Sequence, residues 1–302
     1  MAGNWSTLHG RAPEVIAHRG ASGLRPEHSL DAYALGLAQG ADVIEPDLVP
    51  CADGQLLCRH EPALAATTDI ARRPQFAGRR RDGDWYSTDF RLDELSALRL
   101  RQAFPGRSRE FDGRCPPLAW RALLAWAGEQ AQARGRLLVL FPELKHPAAF
   151  TAQGLDPVPA FLASLDALPQ GVEVRVQCFE PEPLRRVHAA CGLPCTWLLE
   201  AQADWASAIA QGRGWLAGLG PDKTLLFRQG VSSGLVEAAH AAALRVDAWT
   251  FRNDRVGAGW SGIEAELGAV MALGVDGLFC DFPATAVEVR ARGGGLFPTA
   301  SS

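Results

Sequence analysis

The sequence lacks any apolar run long enough to span a bilayer, so we expect no stable membrane insertion. Its first residues, 1–6, also lack a basic stretch followed by an apolar core, and therefore do not resemble a secretory signal. We expect a cytoplasmic protein from the sequence as given. If a leader has been removed, the periplasm is the alternative compartment.

An excess of basic charge and a disulfide framework are also absent. The 302 residues carry 30 basic and 34 acidic side chains, a net charge of −4, which gives no field for binding nucleic acid or an anionic membrane. Seven cysteines, an odd number in a chain of this length, do not indicate paired disulfides, and none is assigned a chemical role. An anionic small-molecule substrate must therefore be attracted by a local site, and the oligomeric state is not predicted.

Apolar runs alternate with helical patterns along the chain. One helical stretch places Leu30, Tyr33 and Leu37 on one face and is followed by Gly40, which suits a helix end. Parallel strands need helical crossovers, so this order predicts an α/β fold, a TIM (β/α)8 barrel, as a single domain over residues 1–302. A doubly wound open sheet is the alternative, but no glycine-rich phosphate loop follows the first strand. The predicted strands are Val15–His18, Val43–Leu48, Leu56–His60, Leu137–Leu144, Val172–Phe179, Thr196–Leu199, Arg245–Phe251 and Asp276–Asp281.

One stretch, residues 61–117, interrupts this alternation directly after the third predicted strand. It is too long for an ordinary loop between a strand and a helix, so we predict an insertion over the top of the barrel. Its arginine-rich runs, 72–73, 79–81 and 99–109, are solvated surface by default. In this position they can also line the mouth of the barrel and contact an anionic ligand.

Three carboxylates follow apolar runs in a way that suggests a metal site. Glu45 and Asp47 stand two residues apart, so a strand places both side chains on one face, and Glu143 ends another apolar run. Pro46 and Pro142 each precede one of these carboxylates, and because proline cannot donate to a sheet ladder, they indicate strand ends. In a barrel, the carboxyl ends of all strands share one mouth. Three oxygen ligands without cysteine or histidine favour one hard divalent cation over zinc, with calcium preferred to magnesium.

His18 and His60 fall at the ends of two further predicted strands. Cleavage of a phosphodiester needs a base for the attacking oxygen and an acid for the leaving oxygen, and imidazole titrates in the right range for both. We therefore predict that these two histidines are the catalytic acid–base pair, with their order left open. Arg19 offers a planar fork for phosphate oxygens and Lys145 a point charge, so both are predicted to bind the substrate phosphate.

The predicted pocket walls come from the ends of two later strands. Gln177 and Phe179 end the fifth predicted strand, and Trp249 ends the seventh. A tryptophan at a strand end is usually packing, but here it can also contact an aliphatic part of the substrate. His28 is taken as structural, without an identified partner.

At these positions the sequence resembles the glycerophosphodiester phosphodiesterase family, and most of all its bacterial periplasmic branch. The resemblance covers nearly the whole predicted barrel and insertion. Its motifs include Val15–Gly23, Pro26–Ser29, Gln39–Leu48, Asp53-Gly54 with His60, Asp82–Tyr86, Pro142–Lys145, Gln177–Phe179, Trp249-Thr250 and Gly274–Pro283.

The resemblance implies a TIM barrel that hydrolyses glycerophosphodiesters, such as glycerophosphocholine or glycerophosphoethanolamine, to sn-glycerol 3-phosphate and an alcohol. Carried over by position, it implies cation binding by the three carboxylates and acid–base catalysis by the two histidines, with water or the substrate's neighbouring hydroxyl as the attacking group. Two positions depart from the family pattern. Glu61 stands where an aspartate is usual and His28 where an asparagine is usual, and both bear on substrate fit.

Two other functions are compatible with the same barrel. A phospholipase D-like lyase would act on a lysolipid or sphingolipid and release a cyclic phosphate, but it needs an apolar rim facing a membrane, and the insertion is rich in arginine. A non-catalytic phosphate-binding module would keep the barrel alone. The intact histidines and carboxylates argue against that module.

Overall fold

Eight parallel wall positions close into a barrel in the computed structural model, which describes residues 5–293. Three of these positions consist of two short strands in succession: β2 and β3, β5 and β6, and β7 and β8. Each pair of neighbours around the wall is parallel, and the last strand, β14, pairs with β1. The predicted (β/α)8 barrel is therefore confirmed. The strands are β1 (Glu14–His18), β2 (Val43–Glu45), β3 (Asp47–Pro50), β4 (Leu56–Cys58), β5 (Leu138–Leu140), β6 (Glu143–Leu144), β7 (Val172–Val174), β8 (Val176–Cys178), β9 (Cys195–Leu199), β10 (Gly218–Pro221), β11 (Phe227–Arg228), β12 (Val231–Ser232), β13 (Arg245–Phe251) and β14 (Gly277–Cys280).

One predicted wall strand lies outside the wall. Leu56–Cys58 runs antiparallel to β3 as the second arm of a hairpin, so the long insertion that follows it separates the second wall position from the third. The sequence pattern did not predict the wall strand Gly218–Pro221, which pairs in parallel with β9 and β13. Its Gly-Leu-Gly-Pro sequence has none of the β-branched or aromatic residues that mark a strand, which explains why the pattern did not reveal it.

The helices lie between the strands as predicted, with ends that differ by a few residues. The first helix begins after Ser29, whose side chain accepts a hydrogen bond from the Ala32 N–H at 3.1 Å, and the chain leaves it through Gly40 at φ +90°. None of the helices within residues 5–293 has the length and hydropathy needed to cross a membrane. The helices are α1 (Leu30–Ala38), α2 (Leu92–Ser96), α3 (Trp120–Arg134), α4 (Pro147–Thr151), α5 (Pro157–Leu165), α6 (Pro181–Cys191), α7 (Trp205–Gly212), α8 (Leu235–Ala241), α9 (Ile263–Ala272) and α10 (Pro283–Arg292).

The barrel has apolar side chains on both sides of its wall. Along β1, Val15 and Ala17 face outward and pack in the main core with the surrounding helices. The residue between them, Ile16, faces the lumen, where it packs with Val43 and Phe279. This alternation follows from the two-residue period of a strand. The lumen is therefore filled with side chains beneath the mouth, and that layer supports the site above it.

The insertion packs against the barrel through a second apolar cluster. Its apolar side chains, among them Phe76, Trp85 and Phe90, form this cluster together with Val49 and Leu57 of the β3–β4 hairpin, apart from the main core. The arginine-rich run 79–81 stacks on aromatic rings of the same segment and does not line the cavity that the described residues form at the mouth. The default interpretation, a solvated surface, therefore holds for this run.

Candidate active site

A cavity of about 400 Å³ opens at the carboxyl ends of the wall strands. Every residue predicted to act in the site lines it, with the exception of Asp47, which lies beside it. The insertion closes one side of the cavity with Ala66, Thr67, Ala103 and Phe104. The other lining residues include His18, Arg19, Glu27, Glu45, His60, Glu61, Glu143, Lys145, Gln177, Phe179, Trp249 and Arg252.

The three predicted carboxylates come together. One oxygen from each of Glu45, Asp47 and Glu143 lies within 4.8 Å of the others, and all three side chains are buried. Pro46 separates β2 from β3 and still accepts a hydrogen bond from the Glu143 N–H at 2.9 Å. As expected, β2 ends at Glu45, directly before Pro46, and β5 ends at Leu140, two residues before Pro142. A further short strand begins directly after each proline, at Asp47 and at Glu143.

Burial opposes the full ionisation of the three carboxylates. Burial and the neighbouring Asp47 raise the pKa of Glu45 well above its usual range, although Glu45 accepts a hydrogen bond from the Arg19 N–H at 2.9 Å. Burial likewise raises the pKa of Glu143 to about 8, with Lys145 opposing the shift. Burial alone would raise the pKa of Asp47. The charges of Arg19 and Lys145 outweigh this effect and hold the pKa of Asp47 well below its usual range.

This donor set fits a hard divalent cation. The Oδ1 atom of Asp47 is buried and has no hydrogen-bond partner among the described residues, although buried carboxylate oxygens are almost always paired. Its other oxygen, Oδ2, lies 3.0 Å from Arg19 Nε and accepts a hydrogen bond from His28 Nε2 at 3.1 Å. A carboxylate that is held on one oxygen and left unpaired on the other is suited to binding an ion.

His18 is oriented by a carboxylate that the sequence did not mark as functional. Its Nδ1 lies 2.6 Å from Oδ1 of Asp281, the residue that follows the end of β14. Burial raises the pKa of Asp281, but the hydrogen bond from His18 and the charges of Arg252 and Arg107 outweigh it and hold that pKa far below its usual range. Asp281 is therefore ionised, His18 Nδ1 carries the proton, and Nε2 is left for a ligand. Burial and Arg19 lower the pKa of His18 itself to about 4 against the effect of Asp281.

His60 has the same arrangement in a more open setting. Its Nδ1 lies 2.7 Å from Glu61 Oε1, and its side chain is 27% exposed, against 10% for His18. The hydrogen bond from His60 lowers the pKa of Glu61 to about 2, so this carboxylate is ionised near neutral pH and accepts from Nδ1–H. Glu61 stands where the family usually has an aspartate. Its carboxylate contacts Nδ1 of His60 and so can orient the imidazole ring.

The two predicted phosphate-binding cations line the cavity and are paired with carboxylates. Arg19 Nη1 donates to Glu27 Oε2 at 3.1 Å, and Lys145 Nζ lies 2.8 Å from Glu143 Oε1. Both are buried. Positive charge is therefore held next to the carboxylate cluster.

The predicted pocket residues separate into two kinds. Phe179 and Trp249 form an apolar wall, with ring centroids 5.6 Å apart in an edge-to-face contact, and the Trp249 indole donates to the Gly220 carbonyl at 2.7 Å. Gln177 lies deeper and donates to Glu45 Oε1 at 3.4 Å and to the Phe141 carbonyl at 3.2 Å. Gln177 thus contacts the carboxylate cluster as well as the cavity.

Three residues that support the site, His28, Asp281 and Arg107, were not predicted from the sequence. His28, taken as structural without a partner, lies between Asp47 and the Tyr33 hydroxyl, which is 2.9 Å from its Nδ1. Asp281 had one usable signal, because an acidic residue at the end of the last strand points into the mouth of a barrel. Arg107 of the insertion had none, since its partner is 174 residues away in the sequence.

A (β/α)8 barrel with carboxylates, histidines and cations around one cavity at its carboxyl end has the architecture of a barrel enzyme. Residues 18–285 match the model of the glycerophosphoryl diester phosphodiesterase family. The chain is 26% identical to the glycerophosphodiester phosphodiesterase of Haemophilus influenzae, over 91% of this chain and 88% of that protein. It is 32% identical to the glycerophosphodiester phosphodiesterase GDPD6 of Arabidopsis thaliana, but the match covers 47% of this chain and only 39% of the plant protein.

Solved structures share the fold. A putative glycerophosphoryl diester phosphodiesterase of Silicibacter pomeroyi aligns with a TM-score of 0.72 at 22% identity, over 95% of this chain and 98% of that one. A phosphodiesterase of Oleispira antarctica, described in complex with the product sn-glycerol-3-phosphate, aligns with a TM-score of 0.68 at 22% identity, over 94% of this chain and 98% of that one. The chain belongs to the glycerophosphoryl diester phosphodiesterase family, a family of phosphoric diester hydrolases.

Proposed function

We propose that this protein hydrolyses glycerophosphodiesters to sn-glycerol 3-phosphate and an alcohol. The observation that carries the proposal is the convergence of His18, His60 and the three carboxylates on one cavity, in a chain whose family match spans residues 18–285. A cavity of about 400 Å³ suits a substrate of the size of glycerophosphocholine or glycerophosphoethanolamine. The named activity of the Haemophilus influenzae relative and the product bound to the Oleispira antarctica protein support the same substrate class.

The two histidines would move the protons of the reaction. Each has its Nδ1 engaged by a carboxylate, so each presents Nε2 to a substrate. One histidine takes the proton from the attacking oxygen, and the other protonates the alcohol oxygen as its bond to phosphorus breaks. Attack by water gives sn-glycerol 3-phosphate in one step. Attack by the glycerol hydroxyl gives a cyclic phosphate, which water then opens in a second step with the same two histidines. Asp281 and Glu61 keep the rings in the tautomer that this exchange requires.

Glu45, Asp47 and Glu143 would hold one divalent cation, which when bound supplies positive charge that stabilises the anionic phosphoryl oxygens. Calcium suits this site better than magnesium, since calcium tolerates irregular oxygen ligands and magnesium demands near-octahedral geometry. Arg19 and Lys145 would bind the phosphate beside the carboxylate cluster. Phe179 and Trp249 would pack against the aliphatic part of the alcohol group.

The surface supports a small substrate over an intact membrane lipid. Among the described residues, Leu137 and Val231 are the large apolar side chains that are strongly exposed. Leu137 precedes β5 and so lies at the end of the barrel opposite the cavity, which leaves Val231 alone on the cavity side. One exposed valine does not form the apolar rim that a lyase acting on lipid bilayers needs.

Phosphorus NMR of the reaction with glycerophosphocholine, in calcium and then with a chelator, tests the proposal. We expect conversion to sn-glycerol 3-phosphate without an accumulating intermediate, confirmed by a coupled dehydrogenase assay, and the loss of this conversion on chelation and in the His60→Ala variant. A cyclic phosphate that persists would instead identify a lyase. Phosphate binding without turnover would identify a non-catalytic module.

A further inference from the structure

Arg107 of the insertion reaches Asp281, the carboxylate that contacts His18. Its side chain is 3% exposed, and Nη2 donates to Asp281 Oδ2 at 2.6 Å. The same guanidinium binds Asp254 through Nε at 2.7 Å and Nη2 at 3.2 Å, and donates from Nη1 to the Ser22 carbonyl at 3.2 Å. It thus joins the insertion to three segments that follow wall strands: those after β1, β13 and β14.

Asp281 is the carboxylate on which this arginine acts. Its Oδ1 accepts from His18 Nδ1 at 2.6 Å, while Oδ2 accepts from Arg107 and also from Arg252 Nε at 2.9 Å. The side-chain torsion that turns a carboxylate has broad minima, so the donors on one oxygen decide where the other oxygen points. Arg107 and Arg252 fix Oδ2, and through it they fix the oxygen that orients the His18 ring.

The rest of the contact is equally constrained. The Arg107 guanidinium lies over Phe104, 4.2 Å from the ring centroid, and Phe104 is one of the insertion residues that line the cavity. The ring centroid of Phe282, the residue after Asp281, lies 5.5 Å from the same guanidinium. Two carboxylates, Asp254 and Asp281, balance the charges of Arg107 and Arg252. A buried arginine held by charge, stacking and a main-chain carbonyl has little freedom to move.

We propose that Arg107 is a positioning residue for His18, acting through Asp281, so that the insertion completes the catalytic arrangement as well as covering it. The proposal rests on the proposed function, in which His18 Nε2 exchanges a proton with the substrate. Arg107 does not touch the reacting atoms in this role. Its loss should therefore lower the rate of the chemical step more than the affinity for substrate.

The experiment compares two variants with a matched control in the full-length protein. Arg107→Ala removes the donor to Asp281. The double variant Arg107→Met with Asp254→Asn removes the arginine together with its exposed carboxylate partner, so Asp254 is not left as an unpaired charge. Glu110→Gln with Arg114→Met removes an exposed ion pair of the same segment, 3.7 Å apart, and serves as the control.

We expect both Arg107 variants to lose about 10- to 100-fold in kcat for glycerophosphocholine, as second-layer partners of catalytic groups commonly do, with KM changed less than about threefold. Added methylguanidinium should restore part of the rate of Arg107→Ala. The control should keep the wild-type kcat. A rise in KM at unchanged kcat would overturn the proposal, because Arg107 would then act in substrate binding.

A second readout does not depend on turnover. Nitrogen-15 shifts of the His18 ring in the ligand-free protein report which nitrogen carries the proton. We expect the Nδ1–H tautomer to dominate in the wild type and to lose population in both Arg107 variants, and an unchanged tautomer ratio would refute the positioning role. If the wild type does not cleave glycerophosphodiesters, the proposed function fails, while the tautomer comparison still decides whether Arg107 positions His18.

Discussion

Asp47 offers the sharpest test of the cation site, because its carboxylate is ionised and one of its oxygens is unpaired. We expect Asp47→Asn to remove most of the thermal stabilisation that calcium gives to the protein. The variant also loses an ionic partner of Arg19, which lies 3.0 Å away, so its stability without cation falls as well. The quantity to compare is therefore the shift that calcium produces, and not the melting temperature itself.

The structure sets the scale of this effect. The three ligand oxygens lie within 4.8 Å of one another, and a calcium ion bound among them would lie about 2.4 Å from each oxygen. Removing one charge at that distance from a divalent ion costs about 3.5 kcal/mol at the dielectric constant of water, which weakens binding about 300-fold. At a cation concentration of 100 times the wild-type Kd, calcium then stabilises the wild type by about 2.7 kcal/mol and the variant by about 0.2 kcal/mol. For a chain of this size, the wild-type value corresponds to a shift of about 4 °C, and the variant shifts by less than about 1 °C.

Differential scanning calorimetry with and without calcium measures both shifts. Asp247→Asn is the matched control, because Asp247 is equally buried and pairs with Arg245 at 2.8 Å, at the opposite end of the barrel. We expect this control to lower the melting temperature and to keep the full calcium shift. A full shift in Asp47→Asn, or a lost shift in the control, would refute the assignment of the cation to the carboxylate cluster.

Three further outcomes follow from the same contacts. His60→Gln should lower kcat about 10²- to 10⁴-fold with little change in KM, and near-normal turnover in the coupled assay would contradict an acid–base role. Trp249→Phe keeps an aromatic wall but leaves the Gly220 carbonyl without the indole donor, so denaturant titration should show a loss of about 1–3 kcal/mol, and unchanged stability would count against that bond. Asp276 is buried, yet hydrogen bonds from His240 and backbone N–H groups hold its pKa below the usual 3.8, so its contribution to stability is complete above that pH and is lost as the pH falls below it. Asp276→Asn should therefore unfold less steeply with acid than the wild type, and an identical acid limb would contradict the sign of this shift.

The barrel could be predicted because its signals are local. The period of apolar residues identifies each strand and helix, and their alternation implies parallel strands joined by helical crossovers. Strand direction is not a local property, however. Leu56–Cys58 has the composition of a wall strand, and only its pairing with β3 makes it antiparallel. Gly218–Pro221 has the reverse character, since its neighbours make it a strand despite a sequence that disfavours one.

The residues of the candidate site also differ in how far the sequence predicts them. The carboxylates and histidines could be predicted because each lies at or beside the end of a strand, and barrel topology brings strand ends together regardless of their distance in sequence. The supporting contacts of Asp281 and Arg107 depend on how a long insertion folds against the barrel. No periodic pattern encodes that docking, since it arises from side chains that meet only in the tertiary structure.

The side-chain charges of the cavity do not by themselves account for the binding of an anionic substrate by a net-negative protein. The chain carries a net charge of −4 and so offers no general attraction to a phosphodiester. Arg19 and Lys145 lie at the mouth, but each is already paired with a carboxylate, at 3.1 and 2.8 Å. Additional positive charge at the carboxylate cluster would therefore favour the binding of an anion. We therefore expect the bound metal ion to serve substrate capture as well as the chemical step. Until the substrate arrives, Glu27 and Glu143 hold the side chains of Arg19 and Lys145 in place.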